Sequence, residues 1–544
     1  MSQSFQASQQ QGGQMVSSQP QGTSGGAIPD LLRIGSIPSN TQIEVETAVL
    51  EPVNHSDTHC RFVLQNKGLL HSHSKLEFEF TSPTGLAGDA KPCSLPVGVG
   101  IHSLIQRATL RVGTKTVCEI DDYNFYQSYR TAFLSPEAEI EREQILTGRN
   151  GNCLEFDYIN AKLNDTSGVG NPYQYGSDTQ SNTSADGLML GNGKEMSVPV
   201  NDPNVDGASQ RPELDETRLT RASAATTSVQ DLCPTWQIAI SDLFPFLKFN
   251  QLPLYMMKEP VNLELVFSKP GTSLTMACER GCSQTNDNPV VTVRTASTRM
   301  IADHIYYPQE MMEAYANANR SLQFQYTDYR MSKFSVDATT LASQGIRNIG
   351  GAGRIVSKVI WGINDATLDA SYIQNKFMAI APNRDYSNDG GAQGGNSQGS
   401  ATFNLKMNEQ FLFPVDVSNT ARHFHNVVQS EGSVPFLSRE TYSKEGVSLS
   451  LGVYNPDVMT PGGAGEFNNF GSGKTDAGLG GQYPGTQFWQ AFRLNRGERV
   501  NSRGIELYFK QTVDALGNGS VQRVWLETLR TATLQDGELT CYYA

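Results

Sequence analysis

Hydrophobic and polar residues alternate with a period of two in both halves of the chain. Apolar side chains occupy every second position of these segments, and charged or polar side chains lie between them. The segments are 43–49, 76–80, 261–267, 322–326, 403–407, 447–453 and 505–509. This alternation is typical of strands that bury one side and expose the other to water. The pattern therefore predicts antiparallel β-structure in both halves.

Three short segments follow a helical pattern instead. One covers about 122–133, and a second begins at Ser135, has Pro136 as its first helical residue and ends near Leu146. The third follows Pro308 and reads QEMMEAYANA. So few helices cannot connect the strands in a βαβ rhythm, which argues against a parallel doubly wound sheet.

Other stretches have neither period. Residues 161–232, 383–402 and 455–485 are long and rich in Gly, Asn and Ser, and we predict that they are insertion loops between strands. Residues 1–37 are predicted to form a disordered N-terminal arm. The first 28 residues contain no charged side chain and too little apolar surface to offset the entropy lost on ordering.

These patterns predict an all-β protein with two domains in tandem. The chain has 544 residues, which suits two domains of ordinary or large size. The first sandwich is predicted in residues 38–306 and the second in residues 320–544, with a helical linker at 307–319 between them. The 50 Gly and 25 Pro residues fit many short strands joined by turns.

Charge and cysteine content limit the possible partners. The formal net charge of −13 repels phosphates, so we expect no direct binding to nucleic acid. The eight cysteines are scattered rather than arranged as a secreted disulfide framework, and we expect reduced thiols. Neither a secretion signal nor a span of about 20 apolar residues is evident, so we expect a soluble protein without a transmembrane segment, made inside the host cell.

Several motifs suggest chemistry only at first sight. The sequence NNFGSGKT, which ends at Thr475, resembles a phosphate-binding loop, but Asn468 replaces its first glycine and the flanking sequence is rich in Gly. The histidine pairs at 71 and 73 and at 423 and 425 lack further ligands at zinc-site spacing, as does the Cys278 and Cys282 pair.

The acidic residues also predict no active site. Asp121 and Asp122 are adjacent, whereas general acid catalysis needs two carboxylates that converge across a cleft, so we expect both to be solvated. We expect the four tryptophans, at 236, 361, 489 and 525, to be core anchors. We therefore predict no catalytic, cofactor-binding or metal-binding residues, no cofactor, and no enzymatic activity.

Three blocks of sequence resemble the double jelly-roll major capsid proteins of double-stranded DNA viruses. Gly100 to Phe133 is similar to a first-domain signature in which a short helical piece precedes a strand, a Gly turn, a strand ending in Ile-Asp, and an aromatic helix. The matching positions are Ser103 to Gln106, Leu110 to Val112, Gly113, Ile120, Asp121 and Tyr123. Arg299 to Tyr326 resembles the junction of the two domains, and the segment RIVSKVIWGIND from Arg354 resembles a second-domain strand.

The resemblance is strongest to polinton-like viruses, virophages and large DNA viruses. It implies two eight-stranded antiparallel jelly rolls that form a homotrimer with a pseudo-hexagonal outline. Such trimers would tile an icosahedral shell, contact neighbouring trimers together with penton and minor or cement proteins, and place the chain in the virion. The alternative from another class is a carbohydrate-binding or carbohydrate-cleaving β-sandwich protein, which shares the strand pattern and the loops but is expected to carry a secretion signal.

Overall fold

A computed structural model gives the fold of the protein over most of its strands. The residues that it describes are 43–80, 93–94, 99–131, 146–147, 188–189, 195–196, 220–222, 229–231, 235–248, 251–268, 277–278, 293–336, 344–365, 377, 402–417, 420–432, 489–494, 497–510 and 520–543.

The first half forms a sandwich of two antiparallel sheets. Its strands are β1 Glu44–Leu50, β2 Asn54–His55, β3 His59–Leu64, β4 Leu69–Leu70, β5 Lys75–Glu79, β6 Cys93–Ser94, β7 Ile105–Val112, β8 Lys115–Asp121, β9 Leu188–Met189, β10 Glu195–Met196, β11 Thr220–Ala222, β12 Val229–Asp231, β13 Thr235–Ala239, β14 Val261–Phe267, β15 Ala277–Cys278 and β16 Arg299–Tyr306. Helices α1 Tyr123–Thr131 and α2 Ile240–Leu243 and the 3-10 turns Gly100–Leu104, Pro245–Lys248 and Leu254–Met256 complete it.

The strand order of these sheets is that of a jelly roll. One sheet has the order β1-β16-β5-β13, with β4 also beside β16, and the other has the order β2-β3-β14-β7-β8. If the eight main strands are lettered B to I along the chain, the sheets become B-I-D-G and C-H-E-F, the arrangement of two interlocked Greek keys. Strand pairs β9 and β10, β11 and β12, and β6 and β15 form separate two-stranded ribbons.

The second half repeats this arrangement. Its strands are β17 Ser321–Val336, β18 Gln344–Gly350, β19 Val356–Asp365, β20 Thr402–Met407, β21 Gln410–Phe411, β22 Gln490–Arg493, β23 Ile505–Lys510, β24 Ser520–Gln535 and β25 Glu538–Tyr543. The sheet orders are β17-β24-β19-β22, again B-I-D-G, and β18-β23-β20-β21, again C-H-E-F. Helix α3 Gln309–Ala318 precedes this sandwich, and helix α4 Thr420–Glu431 lies between its F and G strands.

The predicted fold class, two tandem eight-stranded jelly rolls, is confirmed. Of the segments with alternating sequence, six lie on β1, β5, β14, β17, β20 and β23. The seventh, 447–453, lies outside the described residues. The whole predicted arm also lies outside them, as do most of the insertion loops and the helix from Ser135 apart from its end. Helices α1 and α3 form where the sequence predicts them, whereas α4 was not predicted.

Each sandwich has an apolar interior. In the first, the Phe78 and Phe267 rings lie 5.9 Å apart in an edge-on contact. In the second, Phe403 contacts Trp361 at 5.0 Å and Phe492 at 5.1 Å between ring centroids. All four tryptophans are at most 3% exposed, which confirms their predicted burial. Two of them, however, lie between the sandwiches rather than inside one.

Candidate functional site

The second sandwich closes the free edge of β8, the F strand of the first sandwich. The backbone carbonyl of Val117 accepts hydrogen bonds from the Tyr326 hydroxyl at 2.6 Å and from Arg530 Nη1 at 2.8 Å. Two residues further along β8, the amide of Glu119 donates to Asp328 Oδ1 at 3.4 Å. Because unpaired strand edges are sites of association, these side chains act as caps for the edge.

An ion pair lies at the centre of this edge contact. Arg530 Nη1 is 3.1 Å from Asp328 Oδ2, and Asp328 is only 4% exposed. Burial raises the pKa of Asp328, and the Arg530 charge opposes that rise. Burial likewise raises the pKa of the neighbouring Cys118 thiol, which keeps it protonated and unreactive. These groups stabilise the contact between the sandwiches.

A second buried ion pair joins helix α1 of the first sandwich to β24. Arg523 is 1% exposed, and its Nε donates to Asp122 Oδ2 at 2.8 Å while its Nη1 donates to Asn364 Oδ1 at 2.9 Å. The guanidinium also lies 3.6 Å from the centre of the Phe125 ring. The guanidinium therefore has both polar partners and a cation–π contact, which offsets part of the cost of burying its charge.

Asp122 corrects the sequence-based expectation that this carboxylate is solvated. It is 9% exposed and has a φ of 47°, a left-handed conformation that Asp tolerates better than most residues. Its carbonyl accepts bonds from the amides of Phe125 and Tyr126, at 3.0 and 3.1 Å, at the start of α1. The residue therefore both begins the helix and pairs with the second sandwich.

Aromatic side chains fill the space between the two ion pairs. Tyr126 of α1 contacts Tyr329 at 5.0 Å and Trp525 at 6.1 Å between ring centroids. Trp489 contacts Trp525 at 5.8 Å, and the Trp525 indole donates to the carbonyl of Asp121 at 2.9 Å. These rings form one continuous hydrophobic cluster with the interior of the first sandwich.

Gly362 of β19 allows the Trp489 ring to approach the backbone of the strand closely. A Cβ atom at this position would overlap the Trp489 ring. The absence of a side chain is therefore a packing requirement of this surface.

A lysine shared by two carboxylates lies beside this aromatic cluster. Lys358 Nζ is 2.8 Å from Glu431 Oε1 and 3.7 Å from Glu527 Oε2. The hydroxyls of Tyr129 and Tyr126, on α1, donate to Glu431 and Glu527 respectively. Burial, with a contribution from the Glu527 charge, raises the pKa of Glu431 to about 8. Helix α4 is thereby connected to α1 of the other sandwich.

Strand β25 extends the contact at the far end of β24. It pairs with residues 530–535 of β24, whereas β19 pairs with residues 520–528 of the same strand. Lys115 Nζ donates to the carbonyl of Leu539 at 2.9 Å. The backbone amide of Lys258 donates to the backbone carbonyl of Gly537, also at 2.9 Å. The junction, defined as all these contacts between the sandwiches, therefore involves β8 and α1 of the first sandwich and β17, β24, β25 and helix α4 of the second.

In the part of the chain that the structure describes, the strands equivalent to those of the junction carry exposed apolar side chains. On β1, the B strand of the first sandwich, Val45 is 55% exposed and Val49 is 59% exposed. On and after β21, the F strand of the second sandwich, Phe411 is 51% exposed and Val415 is 67% exposed. Exposed apolar side chains that cluster on a strand edge are typical of association surfaces.

Of the two histidine pairs noted in the sequence, the structure describes both side chains only for His71 and His73. His71 and His73 lie in a turn before β5, where the His73 amide donates to His71 Nδ1 at 2.9 Å. His425 lies on helix α4. Within the described residues, no group of three or more His, Cys, Asp or Glu side chains could hold a metal ion. The phosphate-loop-like sequence ending at Thr475 and the Cys282 position lie outside them.

The described part of the chain has no helix that combines the length and hydrophobicity needed to cross a bilayer. In the same part, Cys60, Cys118 and Cys541 are free thiols.

Comparison with known proteins gives matches among solved structures only. No protein family model and no curated protein sequence matches the chain. A cryo-EM structure of the Sputnik virophage aligns with a TM-score of 0.47 and 8% identity, over 93% of this chain and 89% of that one. The Faustovirus major capsid protein aligns with a TM-score of 0.44 and 11% identity, over 90% of each chain. The mavirus major capsid protein aligns with a TM-score of 0.42 and 11% identity, over 93% of this chain and 91% of that one.

Proposed function

We propose that the chain is a major capsid protein that forms homotrimers with a pseudo-hexagonal outline, and that these trimers tile an icosahedral shell. The observation that carries this proposal is the repetition of one jelly roll in a single chain. Two sandwiches of equal strand order are joined through the F edge of the first and the B-strand sheet of the second. Among the described residues, the other F and B strands carry exposed apolar side chains and pair on one edge only. A unit with complementary open ends is suited to closing into a ring.

The chemistry of the junction supports a structural role. Its buried charges are paired across the two sandwiches, and its aromatic side chains fill the space between them. We therefore assign the chain no enzymatic reaction and place it in the virion shell. The net charge of −13 fits a shell wall that does not bind the genome directly.

The proposal includes the division of the chain made from its sequence. Residues 1–37 would be an arm, residues 38–306 and 320–544 the two jelly rolls, and residues 307–319 the linker. The three sequence blocks that resemble double jelly-roll capsid proteins support this division, because they include the aromatic helix α1 and the linker helix α3. Neighbouring trimers, penton proteins and minor capsid proteins would be the further partners in the shell.

Native mass spectrometry and negative-stain microscopy of the purified full chain test the proposal. We expect complexes of three chains with a hexagonal outline, which pack into sheets or shells at high concentration. A chain that stays monomeric at every concentration would contradict the proposal. If that monomer also bound members of an immobilised glycan panel, the carbohydrate-binding alternative would be favoured instead.

A further inference from the structure

Residues 65–74, which we call the strap, connect β3 to β5 of the first sandwich and lie against β16. The strand β4 belongs to the strap and pairs with β16, so that Leu69 is opposite Ile305 and Leu70 is opposite His304. Leu69 and Leu70 are at most 2% exposed. The strap therefore covers apolar groups, and histidines lie at the contact that holds it.

His304 of β16 binds the strap with one ring nitrogen and has no partner for the other. Its Nδ1 lies 3.0 Å from the carbonyl oxygen of Lys67, and Nδ1 carries the proton because a carbonyl oxygen only accepts. Its Nε2 is buried and has no hydrogen-bond partner in the described part of the chain. Since the side chain is 0% exposed, a proton added to Nε2 would be a buried charge without an acceptor, which is costly.

His71 of the strap uses its ring in the opposite sense. Its Nδ1 accepts a hydrogen bond from the backbone amide of His73 at 2.9 Å, so this nitrogen is unprotonated. The backbone amide of His71 donates to the carbonyl of Asp303 at 2.8 Å. A proton on Nδ1 would break the bond within the turn. The His73 ring lies 4.4 Å away between ring centroids, so two protonated rings would also repel each other.

The surroundings of His304 favour its neutral form. Burial lowers the pKa of His304, and the Lys67 charge lowers it further. The hydrogen bond to the Lys67 carbonyl and the charges of Glu46, on β1, and Asp303, on β16, act in the other direction without reversing the shift.

The surroundings of His71 act in the same way. Burial and the neighbouring His73 lower the pKa of His71, and Asp303 opposes them. Residues 251–257 also contact the strap, since the amide of Leu70 donates to the carbonyl of Leu252 at 2.9 Å. Tyr255 is the only ionisable side chain in that segment.

We propose that acid releases the strap: protonation of His304 and His71 detaches residues 65–74 from β16. A folded pKa below the ordinary value of 6.5 means that the detached strap takes up protons more readily than the attached one. The strap is therefore held above about pH 6.5 and is progressively lost as the pH falls below that value.

Release of the strap would also affect the linker between the sandwiches. Leu69 belongs to a small apolar cluster with Tyr307 and with Met311, Met312 and Tyr315 of helix α3. Helix α3 thus loses an apolar partner when the strap leaves. In a shell built from this chain, which is the proposed function, the strap would be a point where acid begins to loosen the subunit.

Hydrogen exchange of the full chain at pH 7 and pH 5, corrected for the intrinsic effect of pH on exchange, measures the release. We expect peptides from the strap to lose protection about tenfold or more at pH 5, because the protonated histidines favour the open state. Peptides from β14, in the other sheet, should keep their protection. Equal protection of the strap at both pH values would overturn the proposal, as would a loss shared by all peptides.

A double variant tests whether the two histidines are the sensors. His71→Asn with His304→Asn places an amide oxygen or nitrogen near each Nδ1 position, so the bonds to the His73 amide and the Lys67 carbonyl can be kept without a titrating group. This variant should keep its strap protected at pH 5. His425→Asn removes an exposed histidine on α4 and should respond to acid as the wild type does.

The remaining outcomes also decide the proposal. If the double variant loses strap protection at pH 5 as strongly as the wild type, other groups respond to the acid and the proposal is wrong. Circular dichroism shows whether the variant is folded. If it is not, His71→Asn alone must reduce the loss at pH 5, and an unchanged loss would overturn the proposal. A chain that forms trimers but keeps its strap at pH 5 would leave the capsid proposal standing.

Discussion

Trp361 and Trp525 lie on neighbouring strands of one sheet, and their side chains point to opposite faces of it. Trp361 is opposite Val524 in the register of β19 and β24, and it points into the second sandwich, where it contacts Phe403. Trp525 is opposite Ile360 and points into the junction, where it contacts Tyr126 and Trp489. Both side chains are nearly fully buried, at 3% and 0% exposure.

The two faces of this sheet differ in composition rather than in burial. The face that contains Trp361 belongs to an apolar cluster with Val356, Phe403 and Leu526. The face that contains Trp525 also carries Arg523, Glu527 and Lys358, each with a partner across or beside the junction. The inner face is mainly apolar and includes one buried amide, Gln522, which accepts a hydrogen bond from the Trp361 indole at 3.1 Å, whereas the face that receives the second domain combines aromatic packing with paired charges.

The largest effect is expected inside the sandwich. Trp361→Ala should lower the free energy of unfolding by about 4 kcal/mol, because it removes a large buried side chain and leaves a cavity. Denaturant unfolding followed by fluorescence and circular dichroism measures the change. Trp361→Phe is the control and should cost less, since it keeps much of the packing. Equal losses for both variants would contradict a packing role.

A somewhat smaller effect is expected from the junction. Arg523→Ala should cost about 3 kcal/mol, because it leaves the carboxylate of Asp122 buried without its main partner. The same unfolding measurement tests this value. Adding Asp122→Asn to Arg523→Ala should restore part of the loss, since the amide carries no charge. If the double variant is less stable than Arg523→Ala alone, the uncompensated charge of Asp122 is not the cause of the lost stability.

The smallest effect concerns the pH dependence of the junction. The pKa of Glu431 in the folded chain, about 8, is higher than its ordinary value of 4.5. Between these values the unfolded carboxyl is ionised and the folded one is protonated, so stability should fall as pH rises, by at most about 1.4 kcal/mol per pH unit. Glu431→Gln cannot ionise and should show a flatter profile.

Unfolding midpoints at pH 6, 7 and 8 measure this difference. The control is Glu409→Gln, which removes a carboxyl that is 62% exposed and should keep the wild-type profile. An unchanged slope in Glu431→Gln would show that this carboxyl is ionised in the folded chain throughout the range.

The sequence predicts the sandwiches better than the junction for a physical reason. Alternation reports which side of a strand is apolar, and this was enough to place strands such as β1, β14 and β23. Arg523 points to the opposite side of β24 from Val524, and an arginine on a strand is ordinarily expected in water. It is buried because a second domain covers the side of β24 on which it lies. The period of the hydrophobic pattern contains no information about the domain that covers Arg523.

Helix α4 was missed for a different reason. Its sequence, TARHFHNVVQSE, contains His, Asn, Val and Thr, which have modest intrinsic helix propensity. Contacts with Lys358 and with Tyr129 of the first sandwich hold its end at Glu431. Tertiary packing therefore stabilises a helix that local preference does not specify.

The Arg523–Asp122 pair also sets a timescale for biosynthesis. The two residues are 401 positions apart in the chain. At roughly 5–20 residues per second, a ribosome needs on the order of 20–80 s to reach the arginine after it has added the aspartate. In the last part of that interval, after β16 has been made, the nascent first jelly roll displays a β8 edge that still lacks Arg530, which is a period of exposure to chaperones and to premature pairing with other nascent chains.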